Sequence, residues 1–245
     1  MKKTVLLLAW VCVAHAAVAG SNAKPVEIHD RLVASDGASP RIALTLDACS
    51  GKFDDDLITF LITNHIPATI FATKKWLLQN PTGVAIIKAH LDLFDVENHG
   101  EKHIPAVIGK GKTVYGIPGE PDILHLRREV SEGARAITEI IGVAPRWYRG
   151  ATAEYDAPAV DEIGKMGYRI AGFSINADSG ASLGRKAIVK RLKNVKSGDV
   201  IIAHMNKPAS DSAEGLSIGL LELLREKYVF VRLDQVDLVA VPGNK

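Results

Sequence analysis

The amino-acid sequence predicts an α/β fold in which a parallel sheet closes into a distorted (β/α)7 barrel within a single domain. Apolar runs alternate with amphipathic stretches seven times between residues 41 and 233, as expected of parallel strands covered by helices. The chain has 245 residues, of which 47% are hydrophobic, enough to fill one core of this size. Polar side chains also stand where several apolar runs end, which is typical of barrel enzymes. An open, doubly wound sheet is the alternative.

The predicted strands are short apolar runs that are bounded by turn-forming residues. They are 41–47, 68–73, 91–98, 146–149, 168–175, 200–204 and 228–233. Helices are predicted from apolar periodicity and from start signals, namely acidic residues at 54–56 and the prolines Pro81 and Pro158. They are 57–62, 76–89, 123–141, 157–166, 188–195 and 216–226. The Gly- and Pro-containing residues 104–121 have no clear period and predict a long binding loop.

The first 19 residues have the three parts of a secretory signal peptide: Lys2 and Lys3, an apolar run, and small residues before the expected cleavage point. The run is shorter than the roughly 20 apolar residues that a membrane span needs. We therefore expect a periplasmic or secreted protein with no membrane span after cleavage. The remaining predicted boundaries are a leader at 20–40, the folded domain at 41–233 and a C-terminal tail at 234–245.

The mature chain is expected to be almost neutral and to contain one cysteine. Cleavage after residue 19 lowers the number of basic residues from 30 to 28, which equals the 28 acidic residues. This balance argues against a nucleic-acid partner held by bulk charge. Cys49 is then the only cysteine, so no internal disulfide is possible and stability must come from the core.

Two histidines, His99 and His103, follow the predicted strand 91–98. If this segment turns helically, the two side chains share a face and can reach one cation, and neutral imidazole is the commonest metal ligand. Reactive side chains also end other predicted strands, and the ends of barrel strands converge on one face. These further candidates are Asp47, Arg149, Asn176, Asp178 and His204.

Five ordered motifs between residues 41 and 233 resemble those of the polysaccharide deacetylase family, the NodB-homology group of carbohydrate esterases. Thr45-Leu46-Asp47-Ala48-Cys49 stands where the family has T-F-D-D-G, and the segment from His99 to His103 is similar to its histidine motif, with Gly100 replacing a hydroxyl residue. The other similar segments are Arg149 to Asp156, Phe173 to Asp178, and Ile201 to His204.

The resemblance implies a NodB-type barrel that removes acetyl groups from an amino-sugar polysaccharide outside the cytoplasm. It implies that Asp47 is the catalytic base and that Arg149 orients it. His204 is then the general acid, with Asp178 or Asn176 setting its tautomer. His99 and His103 are implied ligands of a divalent metal, for which Zn²⁺ is the expected ion.

One departure from the family motif concerns the metal. Ala48 occupies the position of a metal-binding aspartate and cannot coordinate an ion. Three alternatives follow: the two histidines hold the metal with added waters, a carboxylate such as Asp54 or Asp55 swings in, or the site is metal-free and inactive. The presence of Asp47, Arg149 and His204 argues against the third alternative, because an inactive site needs neither an acid nor a base.

Two further functions remain open at this stage. One is a metal-free amidohydrolase in which Cys49 is the nucleophile and His204 its partner. The other is a degenerate carbohydrate-binding protein that keeps the cleft without catalysis. Aromatic side chains that stack on sugar rings would serve such a protein, although core packing is the favoured explanation for them. The candidates are Trp76, Tyr115, Trp147 and Tyr148.

Overall fold

A computed structural model describes residues 24–34, 37 and 39–242 of the chain. The predicted signal peptide, residues 1–19, lies outside the described residues. The strands are β1 (Val26–Glu27), β2 (Asp30–Leu32), β3 (Arg41–Ala48), β4 (Ala68–Ala72), β5 (Phe94–Asn98), β6 (Pro105–Ala106), β7 (Thr113–Val114), β8 (Ile117–Pro118), β9 (Trp147–Tyr148), β10 (Ala151–Tyr155), β11 (Arg169–Ile170), β12 (Ile175–Asn176), β13 (Val200–His204), β14 (Val229–Val231) and β15 (Leu238–Ala240). The helices are α1 (Asp55–Thr63), α2 (Lys74–Gln79), α3 (Pro81–Ala89), α4 (Ile123–Ile141), α5 (Ala157–Lys165), α6 (Arg185–Leu192) and α7 (Ser212–Arg225).

The main sheet is parallel and curled, in the order β11-β9-β5-β4-β3-β13-β12, with β14 also paired to β3. Helices from the crossover connections cover its outer face, as parallel strands require. The predicted α/β fold with a distorted seven-stranded barrel in a single domain is therefore confirmed, and the open doubly wound sheet is not observed.

The central strand, β3, separates the two layers of the core. Ile42, Leu44, Leu46 and Ala48 belong to the hydrophobic cluster shared with the outer helices. The alternate residue Ala43 belongs to a second cluster inside the curled sheet, with Phe71 and Ile202. Because successive side chains of a strand point to opposite faces, the odd-numbered residues of β3 face the barrel interior.

The predicted strand 168–175 is wrong as a single element, because its two halves pair with opposite edges of the sheet. β11 pairs with β9, whereas β12 pairs with β13. The chain between them, residues 171–174, crosses the gap between the two edges. Its backbone is held by the N-terminal part of the chain, since Asp30 of β2 accepts the Gly172 N–H at 2.8 Å. The barrel is thus completed by a crossing segment rather than by a continuous ladder.

Several other boundaries differ from the predictions. The predicted helix 76–89 is two helices, α2 and α3, and Pro81 begins the second. The predicted loop 104–121 contains β6 and the small hairpin of β7 and β8. Parts of the expected leader and tail also form strands, because β1 pairs with β10 and β2 pairs with β15. Over the part of the chain that the structure describes, no helix is long and apolar enough to cross a membrane.

Candidate active site

The candidate side chains lie at the carboxyl ends of the parallel strands, on one face of the barrel. Asp47 is the next-to-last residue of β3 and is directly opposite His204 of β13 in the strand register. His99 follows β5, and Arg149 follows β9. Asp178 follows β12, which is the outer neighbour of β13. Parallel pairing therefore brings five widely separated segments to one edge, the edge at which barrel enzymes carry their active sites.

Asp47 and Arg149 form a buried ion pair at the centre of this face. Arg149 Nη1 donates to Asp47 Oδ1 at 2.9 Å, and the arginine has no exposed surface. Burial raises the pKa of Asp47, but the charges of Arg149, His99 and His204 outweigh burial and hold the pKa below its ordinary value. Asp47 is therefore a carboxylate at neutral pH, the form that accepts a proton.

The guanidinium of Arg149 is fixed by more than this ion pair. It donates to Thr45 Oγ1 at 2.8 Å and to the carbonyl oxygens of Ala171 and Gly172 at 3.1 and 3.2 Å. Its central carbon lies 4.2 Å from the centre of the Phe71 ring. The arginine thus orients the Asp47 carboxylate and also satisfies carbonyl groups of the segment that crosses the barrel gap.

His204 is oriented by Asp178. The imidazole Nδ1 lies 2.8 Å from Asp178 Oδ1, and Asp178 Oδ2 accepts the His204 backbone N–H and the Ser212 hydroxyl, each at 2.9 Å. A carboxylate accepts hydrogen bonds, so Nδ1 carries a proton and Nε2 is left for other partners. Burial lowers the pKa of His204, but the contacts with Asp178 and Cys49 outweigh it and hold the pKa well above its ordinary value.

Asn176, the other candidate for this role, serves a different contact. Its side-chain oxygen accepts the backbone N–H of Ser179 at 2.8 Å and so shapes the turn after β12. The structure brings Asp178, and not Asn176, into contact with the His204 ring.

His99 and His103 lie side by side, with 4.8 Å between their ring centres. His99 Nδ1 is 2.6 Å from the carbonyl oxygen of Arg149, which can only accept, so Nδ1 carries the proton. His99 Nε2 then points toward Cys49, whose sulfur lies 3.4 Å away. One ligand atom from each of these three residues lies within 4.8 Å of the others. Two imidazoles and a thiol form a donor set that suits zinc.

The expectation that the segment from His99 to His103 turns helically is wrong. Gly100 has a φ of +90° and His103 a φ of +71°, so the segment is a loop. A buried carboxylate on α4 holds it: Glu129 Oε1 accepts the backbone N–H groups of Lys102, His103 and Ile104 at 2.9, 2.8 and 3.2 Å. The imidazoles meet because this carboxylate fixes the loop.

The charges around Cys49 act on its thiol and on His99. Burial raises the pKa of Cys49, but the His99 charge and hydrogen bonds from His103, His204 and His99 outweigh burial, so the pKa lies well below its ordinary value. Burial lowers the pKa of His99, and the charges of Asp47 and Cys49 more than reverse this effect. The Cys49 thiol and the His99 imidazole therefore each shift the pKa of the other toward its charged form.

The carboxylates offered as substitutes for the missing aspartate lie elsewhere. Asp54 is the N-cap of α1, where its side chain accepts the Leu57 N–H at 3.1 Å. Asp55 is exposed in the first turn of the same helix. In the described structure neither belongs to the cluster of possible metal ligands around His99 and His103.

A cavity of about 420 Å³ opens onto these groups. Its lining includes Asp47, Cys49, His103, Tyr115, Asn176 and His204. Of the four aromatic residues considered for sugar stacking, Tyr115 is 77% exposed and lines the cavity. The stacking prediction is wrong for the other three, which are buried in the core: Trp76, Trp147 and Tyr148.

Three residues make contacts around the site that the sequence did not predict. Cys49 was considered only as a nucleophile, although it follows Asp47 by two residues, the spacing that shares a strand face. Glu129 is a carboxylate on the buried face of an amphipathic helix, between Leu126 and Gly133, and such a position is a detectable signal. Ser212, which donates to Asp178, begins α7, and no pattern in the sequence singles it out.

The fold and the convergent side chains define a barrel protein with a hydrolase-type site at the strand ends. The sequence model of the family described as polysaccharide deacetylase matches residues 34–171, which is more than half of the chain. The chain therefore belongs to the polysaccharide deacetylase family. No curated protein sequence matches it as a relative.

Solved structures of carbohydrate esterase family 4 (CE4) proteins share the fold. The Bc1960 peptidoglycan N-acetylglucosamine deacetylase has a TM-score of 0.66 and 18% identity, over 81% of this chain and 88% of that one. PdaA of Bacillus subtilis has a TM-score of 0.64 and 19% identity, over 81% and 80%. BA3943 of Bacillus anthracis, a CE4 family pseudoenzyme, has a TM-score of 0.65 and 16% identity, over 81% and 66%. The chain is thus similar in fold both to a protein described as a deacetylase and to one described as a pseudoenzyme.

Proposed function

We propose that this protein is an exported hydrolase that uses a divalent metal to remove acetyl groups from the N-acetylated or O-acetylated sugars of an extracytoplasmic polysaccharide. One observation carries the proposal: a carboxylate fixed by an arginine and an imidazole fixed by a carboxylate lie opposite each other on neighbouring strands. A binding protein has no need for both. Family membership supports the reaction class, because the family is that of polysaccharide deacetylases.

Hydrolysis of an acetamide needs a base for the attacking water and an acid for the leaving amine. Asp47, ionised and oriented by Arg149, takes the proton of the water. His204 faces the same cavity and gives a proton from Nε2 to the amine, while Asp178 holds Nδ1 and stabilises the imidazolium. Asp178 is thus assigned the positioning role, and Asn176 shapes the adjoining turn.

His99 and His103 would hold the divalent ion, with Zn²⁺ expected from the imidazole donors. When bound, such an ion lowers the pKa of a coordinated water and polarises the acetyl carbonyl. The arrangement of His99 suits a ligand, because its Nδ1–H is taken by the Arg149 carbonyl oxygen and its Nε2 faces the other donors.

A catalytically degenerate carbohydrate-binding protein is the competing function, and Ala48 favours it. This alanine replaces a residue that the family motif uses for metal binding, and a pseudoenzyme has the same fold. The cavity and exposed Tyr115 would serve a sugar ligand with or without catalysis. The two functions differ in acetate release.

The test compares acetate release from N-acetylated glycans by the wild-type protein and by Asp47→Asn. Loss of the base should reduce turnover by at least about 10²-fold, the usual scale for general catalysis, and leave the bound metal unchanged. Asp56→Asn is the matched control, because Asp56 is an exposed aspartate in the first turn of α1. It should retain wild-type turnover.

The alternatives give different results. Acetate release by Asp47→Asn at the wild-type rate would remove Asp47 from the reaction. Glycan binding by the wild-type protein without acetate release, with or without added zinc, would favour the degenerate binding protein. Turnover that survives removal of all metal and is abolished by alkylation of Cys49 would favour the metal-free amidohydrolase.

A further inference from the structure

The position that carries the family's metal-binding aspartate points away from the site in this protein. Ala48 has no exposed surface and belongs to the cluster that packs the outer helices, together with Ile42, Leu44 and Leu46. The next residue, Cys49, directly follows β3, and its side chain lines the cavity together with that of Asp47. The end of β3 therefore presents residue 49, and not residue 48, to the histidines.

The distances around Cys49 match those of a metal centre. In a tetrahedral zinc site with Zn–S near 2.3 Å and Zn–N near 2.0–2.1 Å, neighbouring ligand atoms lie about 3.3–3.6 Å apart. The sulfur of Cys49 is 3.4 Å from His99 Nε2. All three donors lie within 4.8 Å of one another, so binding would draw the most distant pair together by at most about 1.5 Å.

Hydrogen bonds from outside the donor cluster hold both histidines in place. The carbonyl oxygen of Arg149 fixes the ring of His99, with its Nε2 turned toward the sulfur. The backbone of His103 is held by Glu129, whose carboxylate is buried and accepts three N–H groups of the loop. Such outer contacts set ligand direction in metal sites. Three protein ligands and one side open to the cavity form the arrangement of a catalytic zinc centre.

We propose that Cys49, as a thiolate, is the third metal ligand of the site beside His99 and His103, taking the place of the carboxylate that the family carries at position 48. Its thiol proton is released to solvent when the ion binds. A thiolate with two imidazoles selects zinc, or cobalt as its substitute, over magnesium, calcium and manganese, which prefer oxygen ligands. The catalytic role of this ion rests on the proposed function, whereas its binding does not.

The experiment uses the purified protein, stripped with a chelator and reloaded with Zn²⁺ or Co²⁺. We expect one bound ion per chain, not displaced by excess Mg²⁺, and a sulfur-to-cobalt charge-transfer absorption in the near ultraviolet. Zinc should also protect Cys49 from alkylation, with the modified residue located by peptide mapping. Neither readout depends on activity.

Three variants complete the experiment. Cys49→Ala should weaken zinc binding by at least about 100-fold, because losing a ligand costs no less than losing an outer contact, and should abolish the cobalt–sulfur absorption. Cys49→Asp should bind zinc more tightly than Cys49→Ala but without that absorption. Ser50→Ala, a change at the neighbouring residue outside the cluster, should match the wild-type protein.

The outcomes separate this proposal from the proposed function. Undiminished zinc affinity in Cys49→Ala, a cobalt protein without sulfur absorption, or a wild-type protein that binds no zinc would overturn the ligand assignment. Acetate release by a protein whose zinc affinity is unchanged in Cys49→Ala would support the proposed function and overturn Cys49 as a ligand. A cobalt–thiolate spectrum without acetate release from any glycan would support Cys49 as a ligand and overturn the proposed function.

Discussion

The buried ion pair between Arg149 and Asp47 predicts a large and strongly coupled effect on stability. Arg149→Met keeps most of the side-chain volume but removes four hydrogen bonds, to Asp47, Thr45, Ala171 and Gly172. It also leaves the Asp47 carboxylate buried without its charge partner. Breaking a buried pair from one side costs about 3–5 kcal/mol. Because four acceptors lose their hydrogen bonds, we expect the free energy of unfolding to fall by an amount near the upper end of that range.

A double-mutant cycle isolates the contribution of the pair. Asp47→Asn alone leaves the guanidinium without its counter-charge, whereas Arg149→Met combined with Asp47→Asn leaves no buried charge. We therefore expect the loss in free energy of unfolding of the double variant to be smaller than the sum of the two single losses by about 2–3 kcal/mol, the upper range of measured couplings. Urea unfolding at neutral pH gives the four free energies of unfolding.

The pH dependence of the same cycle gives a second check. In the wild-type protein the pKa of Asp47 is lowered, so the ionised carboxylate adds stability above its unfolded pKa, and this is lost as the pH falls through the folded pKa. Without Arg149, burial raises the pKa of Asp47 instead. The stability deficit of Arg149→Met should therefore shrink as the pH is lowered. Additive effects within about 0.5 kcal/mol, with a deficit independent of pH, would refute the reasoning.

Three further predictions concern the loop between His99 and His103, the buried Glu97 of β5, and His204 as the proposed general acid. Gly100→Ser restores a residue type of the family motif, yet its Cβ would collide with the Glu129 carboxylate. We expect it to lower the free energy of unfolding by more than backbone strain alone, which costs about 1–3 kcal/mol, and to weaken zinc binding. Gly142→Ser, at a similar φ with open space around it, is the control for strain in the same unfolding and metal-content measurements. Burial, together with the neighbouring Asp95 charge, raises the pKa of Glu97 to about 8, so the stability that Glu97 contributes is complete below its unfolded pKa of 4.5 and is lost as the pH rises toward 8. Glu97→Gln should therefore gain stability relative to the wild-type protein between pH 5 and about 8 in urea unfolding. A constant difference in stability across that range would contradict the raised pKa. Asp178→Asn removes a charge that raises the pKa of His204, so the alkaline limb of the activity profile should move to lower pH; an unmoved limb would show that another group controls it.

The fold class was predictable because it depends on local alternation. Each strand of a covered parallel sheet is an apolar run, and each covering helix has its own period, so both can be recognised without knowing which strands pair. Pairing itself is not local. The run 168–175 has the composition of one strand, but its two halves pair with β9 and β13. Nothing within those residues distinguishes one long strand from two short ones.

The candidate site shows the same division. Side chains at strand ends, such as Asp47 and His204, were predictable as neighbours because parallel strands bring their carboxyl ends together. The path between His99 and His103 was not, because a carboxylate 26 residues further along, Glu129, holds the loop. A helical turn and this loop bring the two rings within similar reach, so the two imidazoles lie close together although the segment between them is not helical.

The family motif and the structure disagree at position 48: the motif has a metal-binding aspartate there, whereas Ala48 packs against the outer helices. Restoring the family's aspartate, as Ala48→Asp in the Cys49→Ala background, places a carboxylate on the face of β3 that packs against the helices. A buried carboxylate without a partner costs several kcal/mol, and on that face it cannot approach His99. We therefore expect this double variant to be less stable than Cys49→Ala in urea unfolding and to bind zinc no better. Recovery of zinc binding with wild-type stability would mean that the end of β3 turns its even-numbered side toward the histidines. Zinc binding by Cys49→Asp but not by the restored motif would show that the metal-binding side chain has moved by one residue along the strand.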